Sequence, residues 1–415
     1  MQRGAVELFL PCAGGTEALL AAEVQAIVGR PADSGRGGVW IRGDAGTAMA
    51  LNLHSRLAQR VLWPLVDGPY ADEHALYAMA RRVPWADWLT PSMTLRVDTV
   101  GMRSPLRSLN FASLRIKDAV CDALRELTGE RPSVDTLRPD LPLMLFAGPE
   151  HATLYVDTSG EALFKRGWRE VKGEAPLKET LAAAMLAAAG WHGRADDGPL
   201  LDPCCGAGTI AIEAAQLACG IAPGLQRHFA FERLLPFKSH AAAWRDLQRA
   251  ARERIHAPAV PVFAGDVSFR MTDFATRNAE RAGVAHAIEF KTADALQRLP
   301  PVARGTLILN PPYGERIEAK GQGTLRPTAG AASRQDFEGA SSTADFYTRL
   351  ASHWKQHWAG WTAWILSPEP RLPSLLRLKE SRRVPLWNGA IECRMMRFEL
   401  SAGRHGPERG EPGPG

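Results

Sequence analysis

The sequence predicts an α/β protein in which a Rossmann-like, mostly parallel sheet follows a smaller α+β module. Residues 200–215 have the pattern of a strand, a glycine-rich turn and a helix. Residues 307–314 have the pattern of an apolar strand that stops abruptly at Asn-Pro-Pro-Tyr-Gly. Short strands and helices alternate over the first 157 residues, which predicts the α+β module.

The glycine-rich turn predicts a cofactor pocket at the N-terminus of the helix that follows it. Gly206 and Gly208 allow a tight turn with close backbone approach, and good helix formers follow from Thr209. The motif also fits the G-x-G-x-x-A dinucleotide fingerprint, which expects an acidic residue about 20 positions later. The best acid here, Asp266, comes much later. The glycines alone therefore leave an NAD-dependent oxidoreductase or an ordinary strand-to-helix turn open.

The second motif, Asn310-Pro311-Pro312-Tyr313, indicates a site for an exocyclic amine. Two prolines end the strand and stiffen the chain, so that the Asn310 side-chain oxygen and the Pro311 carbonyl can converge on one point. An NH2 group on a planar base would donate to both oxygens while its ring stacks on Tyr313. These four residues are the predicted catalytic group. The alternative is a proline-stiffened turn after a core strand.

Three further stretches, at residues 159–169, 175–179 and 388–394, contain motifs that point to the same family as the first two. With them, the chain resembles the THUMP-domain class I S-adenosylmethionine-dependent RNA methyltransferases, and among these the bacterial 23S rRNA guanine-N2 methyltransferases. The resemblance extends from about residue 7 to residue 400. It implies a seven-stranded class I methyltransferase domain behind a ferredoxin-like and THUMP module. Members that carry a second methyltransferase have it behind this part, so only the first activity is implied here.

The resemblance implies S-adenosyl-L-methionine as the cofactor and places it at the strand ends. Asp202 would contact the methionine amino group, Asp266 the ribose hydroxyls and Asp294 the adenine amino group. Relatives commonly carry a second acid two residues after the ribose acid, where this chain has Ser268. The full predicted cofactor set is Asp202, Pro203, Cys204, Gly206, Gly208, Thr209, Asp266, Asp294 and Asn310.

The predicted domain order follows from these patterns. It comprises a ferredoxin-like segment (1–45), a THUMP RNA-binding domain (46–157), a linker (158–175), the methyltransferase domain (176–400) with a flexible insertion (319–342), and a disordered tail (401–415). N-terminal strands are predicted at 6–11, 38–41, 60–66, 94–99 and 152–157, and helices at 16–28, 47–57, 72–82 and 111–127. A long excursion at 221–261 separates the glycine motif from the ribose acid. Strands are then predicted at 262–266 and 361–367, and a helix at 343–358.

Two groups of basic residues are predicted to contact RNA phosphates. The first lies in the THUMP segment and the second in the linker; together they are Arg96, Arg103, Arg107, Arg115 and Lys117, then Lys165, Arg166 and Arg169. A solvated helix face and a polar linker are the respective alternatives. The net charge of +5 and pI near 9.0 favour a polyanionic partner without proving one.

Other features narrow the class of protein. No apolar run approaches a membrane span and the start lacks a signal-peptide core, so we expect a cytoplasmic protein with no membrane partner. The six cysteines show no C-x-x-C pair or zinc-type spacing, so we expect reduced thiols and no metal. We also expect a monomer.

The expected reaction is methyl transfer from S-adenosylmethionine to the N2 amine of a guanine in 23S rRNA. The Asn-Pro-Pro-Tyr motif serves adenine N6 equally well, and guanine and 23S rRNA come from the resemblance. A THUMP-type tRNA methyltransferase is the nearest alternative. A DNA adenine methyltransferase is less favoured because no target-recognition segments are found. A non-catalytic RNA-binding or ribosome assembly protein is disfavoured by the intact motifs.

Overall fold

A computed structural model describes residues 4–170, 177–311 and 335–401, with only the backbone for 335–343. The chain divides into two compact units. The N-terminal unit holds residues 4–168, 179–184 and 220–255, and the C-terminal unit holds the described remainder. Residues 220–255, which fall inside the predicted methyltransferase domain, therefore group with the N-terminal unit.

The N-terminal unit contains eight strands among its described residues. They are β1 (Val6–Pro11), β2 (Asp33–Gly35), β3 (Gly38–Gly43), β4 (Leu62–Pro69), β5 (Thr94–Gly101), β6 (Ser133–Val134), β7 (Leu141–Ala147) and β8 (His151–Asp157). Its helices are α1 (Glu17–Val28), α2 (Ala45–His54), α3 (Glu73–Arg81), α4 (Leu109–Thr128) and α7 (Ala241–Glu253). Helix α5 (Glu179–Ala189) belongs to this unit up to residue 184.

The eight strands form one sheet in the order β2-β3-β1-β4-β8-β7-β5-β6. Strand β4 pairs antiparallel with β1 on one side and with β8 on the other, so the sheet is continuous. The predicted strand at 6–11 is confirmed exactly. Strand β7 was missed, because its buried apolar run lacks the alternation that identifies a half-buried strand and contains Pro142.

Residues 220–255 join the N-terminal unit through backbone and aromatic contacts. The Arg227 guanidinium donates to the carbonyl oxygens of Ala162 at 2.9 Å and of Glu161 at 2.6 Å. The Phe237 ring packs edge-on against Trp63 at 5.7 Å between ring centroids, and the Phe231 amide donates to the Thr158 carbonyl at 3.0 Å. These contacts account for the grouping of the inserted segment with a unit distant in sequence.

The C-terminal unit contains seven strands among its described residues. They are β9 (Leu200–Asp202), β10 (Val262–Asp266), β11 (Ile288–Thr292), β12 (Gly305–Leu309), β13 (Trp361–Ser367), β14 (Glu380–Asn388) and β15 (Ile391–Glu399). Its helices, besides the end of α5, are α6 (Thr209–Ala218), α8 (Phe269–Arg281), α9 (Gln335–His357) and α10 (Leu372–Leu376). The predicted strands at 262–266 and 361–367 are confirmed exactly.

The seven strands form a mixed sheet in the order β11-β10-β9-β12-β13-β15-β14. The first five are parallel, and β15 is antiparallel to both of its neighbours. This confirms the predicted Rossmann-like, mostly parallel sheet of seven strands. The strand order reverses between β9 and β12, and ligands of such sheets bind at the carboxyl ends of the strands beside the reversal.

One core cluster of this unit packs the central strands against α9 and α10. Its largest buried side chains include Trp354, Trp358 and Trp361. Helix α9 begins at Gln335, earlier than the predicted 343, so residues 335–342 of the predicted flexible insertion are helical. The rest of that insertion and the predicted tail from 402 lie outside the described residues.

Candidate active site

The glycine turn after β9 lies against the carboxyl end of β10. The Cys205 amide donates to the Gly265 carbonyl at 2.8 Å, and the Gly206 amide donates to Asp266 Oδ2 at 3.0 Å. The other Asp266 oxygen accepts from the Ser268 amide at 3.0 Å. These bonds bring together two motifs that are 60 residues apart in sequence.

The two glycines of the turn serve different needs. Both have positive φ, +51° at Gly206 and +86° at Gly208, which favours glycine at each position. A Cβ on Gly208 would lie 2.9 Å from the Cβ of Ala275 on α8, so this glycine allows α6 and α8 to approach closely. A Cβ on Gly206 would meet nothing nearer than Met271 Cε at 3.9 Å. Gly206 therefore borders open space, as a ligand-facing backbone requires.

The start of α6 is held by a residue predicted to contact RNA. Arg169 Nη2 donates to Thr209 Oγ1 at 2.6 Å and to the Leu177 carbonyl at 3.2 Å. This nitrogen is committed to the helix start. The Arg169 side chain thus positions Thr209, and its contact with an RNA phosphate stays a prediction.

Three predicted carboxylates influence the pKa of the Cys204 thiol. Burial raises the pKa of the Cys204 thiol well above its usual value, and the negative charges of Asp202, Asp266 and Asp294 raise it further. The thiol also packs against the core cluster. The carboxylates that end or follow β9, β10 and β11 therefore lie at the same end of the sheet as Cys204, and their contacts with the cofactor stay a prediction.

Asp202 is the most perturbed of these acids. It is 1% exposed, and burial raises its pKa to about 8; the nearby Asp266 charge also raises it. The Cys204 amide, 3.3 Å from Oδ1, and the Arg298 charge act in the opposite direction. Burial raises the pKa of Asp266 as well, against the two amides bonded to it. A buried acid without a full counter-charge is a favourable partner for a cationic ligand group.

Sequence reasoning missed Arg298, a buried cation in this region. Its Nη1 donates to the Ala264 carbonyl at 2.9 Å, and a Cβ on Gly265 would lie 2.3 Å from that nitrogen. Gly265 is therefore the residue that leaves room for the guanidinium. No local motif marks Arg298, because its role depends on the fold bringing residues 265 and 298 together. Val267, the residue after Asp266, is 52% exposed.

Asn310 presents an unsatisfied acceptor at the carboxyl end of β12. Its Oδ1 is buried, yet it has no hydrogen-bond partner among the described residues. Leaving such a group unpaired costs about 1–3 kcal/mol, so it indicates a missing donor. Pro311 beside it is buried, whereas Pro312 and Tyr313 lie outside the described residues. Pro203, also predicted for the cofactor site, is buried directly after Asp202.

The basic residues of the THUMP segment fall into two groups. Three have carboxylate partners: Arg96 with Asp98 at 2.7 Å, Arg115 with Asp118 at 3.7 Å and Lys117 with Asp118 at 2.6 Å. Arg115 also stacks over the Tyr77 ring. Arg103 and Arg107 are exposed and have no ion pair within the described part of the chain. They are the members of this group best placed to bind a phosphate.

The linker residues Lys165 and Arg166 differ in solvent exposure. Lys165 is 54% exposed in its side chain and pairs with Glu161 at 2.8 Å. Arg166 is 2% exposed and donates to the carbonyl oxygens of Leu163 and Arg56, each at 2.7 Å. This burial contradicts the prediction that Arg166 contacts RNA: its charge is used to satisfy backbone carbonyls inside the N-terminal unit.

Comparison with known protein families gives three matches. Residues 166–397, more than half of the chain, match the RMKL-like methyltransferase domain family. The chain belongs to this family. Residues 70–157 match the THUMP domain and residues 7–62 match the RlmL ferredoxin-like domain. These two matches meet between residues 62 and 70, later than the boundary at 45/46 expected from sequence.

Among curated proteins, the chain is similar to two named ribosomal RNA large subunit methyltransferase K/L. It is 35% identical over 404 residues to that of Psychromonas ingrahamii, covering 95% of this chain and 50% of the relative. It is 36% identical over 408 residues to that of Syntrophotalea carbinolica, covering 96% and 54%. The chain thus spans about half the length of the curated relatives it matches.

Solved structures share the fold along nearly the whole chain. SMU.472, solved with SAH, matches with a TM-score of 0.81 at 24% identity, over 97% of this chain and all of that one. A predicted N6-adenine-specific DNA methylase from Listeria monocytogenes matches at 0.78 with 26% identity, over 95% and 96%. TrmN from Thermus thermophilus matches at 0.62 with 22% identity, over 95% and 99%.

The family depends on S-adenosyl-L-methionine, which is therefore the cofactor of this chain. The residues present fit it. Gly206 leaves open space at the start of α6, Asp202 is a buried acid suited to an ammonium group, and Asn310 Oδ1 is an unpaired acceptor. Within the described ranges there is no helix long and apolar enough to cross a membrane, nor a cluster of three metal-type ligands.

Proposed function

We propose that this chain transfers a methyl group from S-adenosylmethionine to the exocyclic N2 amine of a guanine in 23S rRNA. The observation that carries the proposal is the buried, unpartnered Asn310 Oδ1 at the carboxyl end of β12. The ribosomal RNA target is supported by the names of the curated relatives and by the THUMP match.

In this proposal the three acids hold the cofactor. Asp202 pairs with its ammonium group, Asp266 accepts from the ribose hydroxyls, and Asp294 accepts from the adenine amine. When bound, the cofactor supplies an electrophilic methyl group on a sulfonium. Asp266 is already held by two backbone amides, which orients its carboxylate before the ligand arrives. This preorganisation reduces the entropy lost on binding.

Asn310 acts on the base. Its Oδ1 accepts a hydrogen bond from the amine, and the Pro311 carbonyl accepts the second N–H. Two fixed acceptors orient the nitrogen lone pair and stabilise the positive charge that develops on nitrogen during transfer. The alkylated nitrogen is acidic enough to release its proton to water, so no strong base is required.

The first experiment is transfer of labelled methyl groups to naked 23S rRNA, assembled ribosomes and bulk tRNA, followed by nucleoside analysis. Label in N2-methylguanosine from 23S rRNA is the expected result. Label only in tRNA, or in N6-methyladenosine, would retain the mechanism and replace the target. Because the similar Listeria structure is named a predicted N6-adenine-specific DNA methylase, N6-methyladenosine is a specific alternative product. No label in any RNA would contradict the proposal.

The second experiment changes Asn310. Asn310→Ala is expected to lower the transfer rate about 10²- to 10³-fold, as loss of one preorganised charge-stabilising group does, while cofactor affinity is unchanged. Asn310→Asp keeps an acceptor oxygen and is expected to retain more activity. Asp266→Ala is the matched control, because it should weaken cofactor binding itself. Normal transfer by Asn310→Ala would refute the assigned role.

A further inference from the structure

Exposed apolar side chains cluster at the junction of β5 and α4. We call residues 100–114 the β5–α4 surface. Of the fourteen large apolar side chains that the described residues expose, five lie within these fifteen positions: Val100, Met102, Leu109, Phe111 and Leu114. Single exposed apolar residues are normal, but a group of them marks an interaction site.

The loop within this surface is held in a defined conformation. The Met102 amide donates to the Ala147 carbonyl at 3.0 Å. The Tyr70 hydroxyl bonds to the Gly148 carbonyl at 2.6 Å and to Ser104 Oγ at 2.7 Å. A Cβ on Gly101 would lie 2.7 Å from the Leu109 side chain, so the end of β5 and the start of α4 pack closely. The exposed groups are therefore presented by an ordered scaffold.

Phe111 is 49% exposed in the first turn of α4. Ser108 caps this helix by accepting from the Phe111 amide at 3.2 Å, which fixes the backbone that carries the ring. The inner face of α4 is formed by other residues, including the fully buried Ala112 and Ile116. Leu114 follows Phe111 by three positions and extends the exposed apolar strip along the same face. The packing of α4 does not account for an exposed aromatic ring here.

The charge of the surface selects the kind of partner. Residues 100–114 contain two arginines, Arg103 and Arg107, and no acidic residue. Neither arginine has an ion pair among the described residues. Exposed aromatic rings interspersed with unneutralised arginines are typical of surfaces that bind unpaired nucleic acid, where bases stack on rings and phosphates pair with guanidinium groups.

We propose that the β5–α4 surface binds an unpaired segment of the RNA substrate, with a base stacked on Phe111 and phosphates at Arg103 and Arg107. This deepens the proposed function and rests on its RNA substrate. It adds base stacking to the phosphate contacts predicted from sequence. A paired helix would not satisfy the surface, because its bases are not free to stack on a protein ring.

The test uses a short single-stranded RNA with a central 2-aminopurine, whose fluorescence is quenched on stacking. The unmodified protein should bind and quench it. Phe111→Ala should weaken binding about 5- to 150-fold, the range for loss of one base–aromatic stack, and abolish the quenching. Phe111→Trp should retain both, whereas Phe111→Leu, which stays apolar, should not. Leu127→Ala, at the other end of α4 and 68% exposed, is the matched control and should have no effect.

A salt titration tests the arginines. Each of Arg103→Gln and Arg107→Gln should reduce the slope of log affinity against log salt by about 0.7, the value for one phosphate contact to a single strand. Cofactor affinity should be unchanged in every variant.

Three results would overturn the inference. The first is no binding of the probe by the unmodified protein, and the second is an equal loss of affinity in Phe111→Ala for the single-stranded probe and for its annealed duplex. The third is unchanged RNA affinity in the variants together with altered self-association in sedimentation. The last would make the surface a protein contact. The inference and the proposed function can fail separately. Phe111-dependent quenching without methyl transfer would refute only the function, and methyl transfer with Phe111-independent binding would refute only the inference.

Discussion

Replacing Gly208 with alanine tests the geometry of the glycine turn most directly. The residue has φ of +86°, which costs a non-glycine residue about 1–2 kcal/mol. The new Cβ would lie 2.9 Å from Ala275 Cβ and 3.2 Å from Ala275 Cα, the second of which is backbone and cannot rotate away. Overpacking of this kind costs about 1–3 kcal/mol. Gly208→Ala should therefore destabilise the C-terminal unit by about 2–5 kcal/mol.

Gly206→Ala is the matched control, two residues away in the same turn. Its φ of +51° carries the same kind of backbone cost, but the nearest atom to the new Cβ is Met271 Cε at 3.9 Å. The loss of stability should be limited to about 1–2 kcal/mol. Because Gly206 borders the proposed cofactor space, this variant should instead weaken S-adenosylmethionine binding.

The assay is urea unfolding, monitored by hydrogen-exchange mass spectrometry of peptides from β9, α6 and β10. Exchange reports the stability of this region without assuming that both units unfold together. Cofactor affinity is measured in parallel under native conditions. Equal destabilisation by the two variants would refute the close approach of α6 and α8. Unchanged cofactor affinity in Gly206→Ala would refute the ligand-facing role of that glycine.

Two further predictions concern buried charges. The pKa of Asp202 is raised to about 8 from an ordinary 3.8, so the acid is protonated at neutral pH. Its contribution to folding stability therefore falls as the pH rises from 3.8 to about 8. Pairing with an ammonium group must then release a proton below pH 8; calorimetry in buffers of different ionisation enthalpy should detect it, and Asp202→Asn should abolish it. Arg166→Ala should destabilise the N-terminal unit by about 2–5 kcal/mol, since two buried carbonyls lose their donor. Lys165→Ala, which breaks an exposed ion pair, should cost less than about 1 kcal/mol; equal urea midpoints for these two variants would contradict the structure.

The sequence by itself predicted the α/β architecture and the strand-end residues of the candidate site. Gly206 and Gly208 after β9, Asp266 at the end of β10 and Asn310 after β12 were all found from local patterns. Each lies where an apolar strand gives way to glycine, an acid or proline, and such transitions are encoded by adjacent residues. The parallel sheet then brings these strand ends together without further information, because all its parallel strands end at one edge.

Tertiary structure alone decided how the charged residues are used. Arg166 and Arg103 are equally basic in the sequence, but one is buried on backbone carbonyls and the other is exposed and without an ion pair among the described residues. The raised pKa of Asp202, the position of Arg298 beside Gly265 and the exposure of Phe111 likewise escaped sequence reasoning. Burial and pairing depend on residues brought close by folding from distant parts of the chain, and these do not appear in any local pattern.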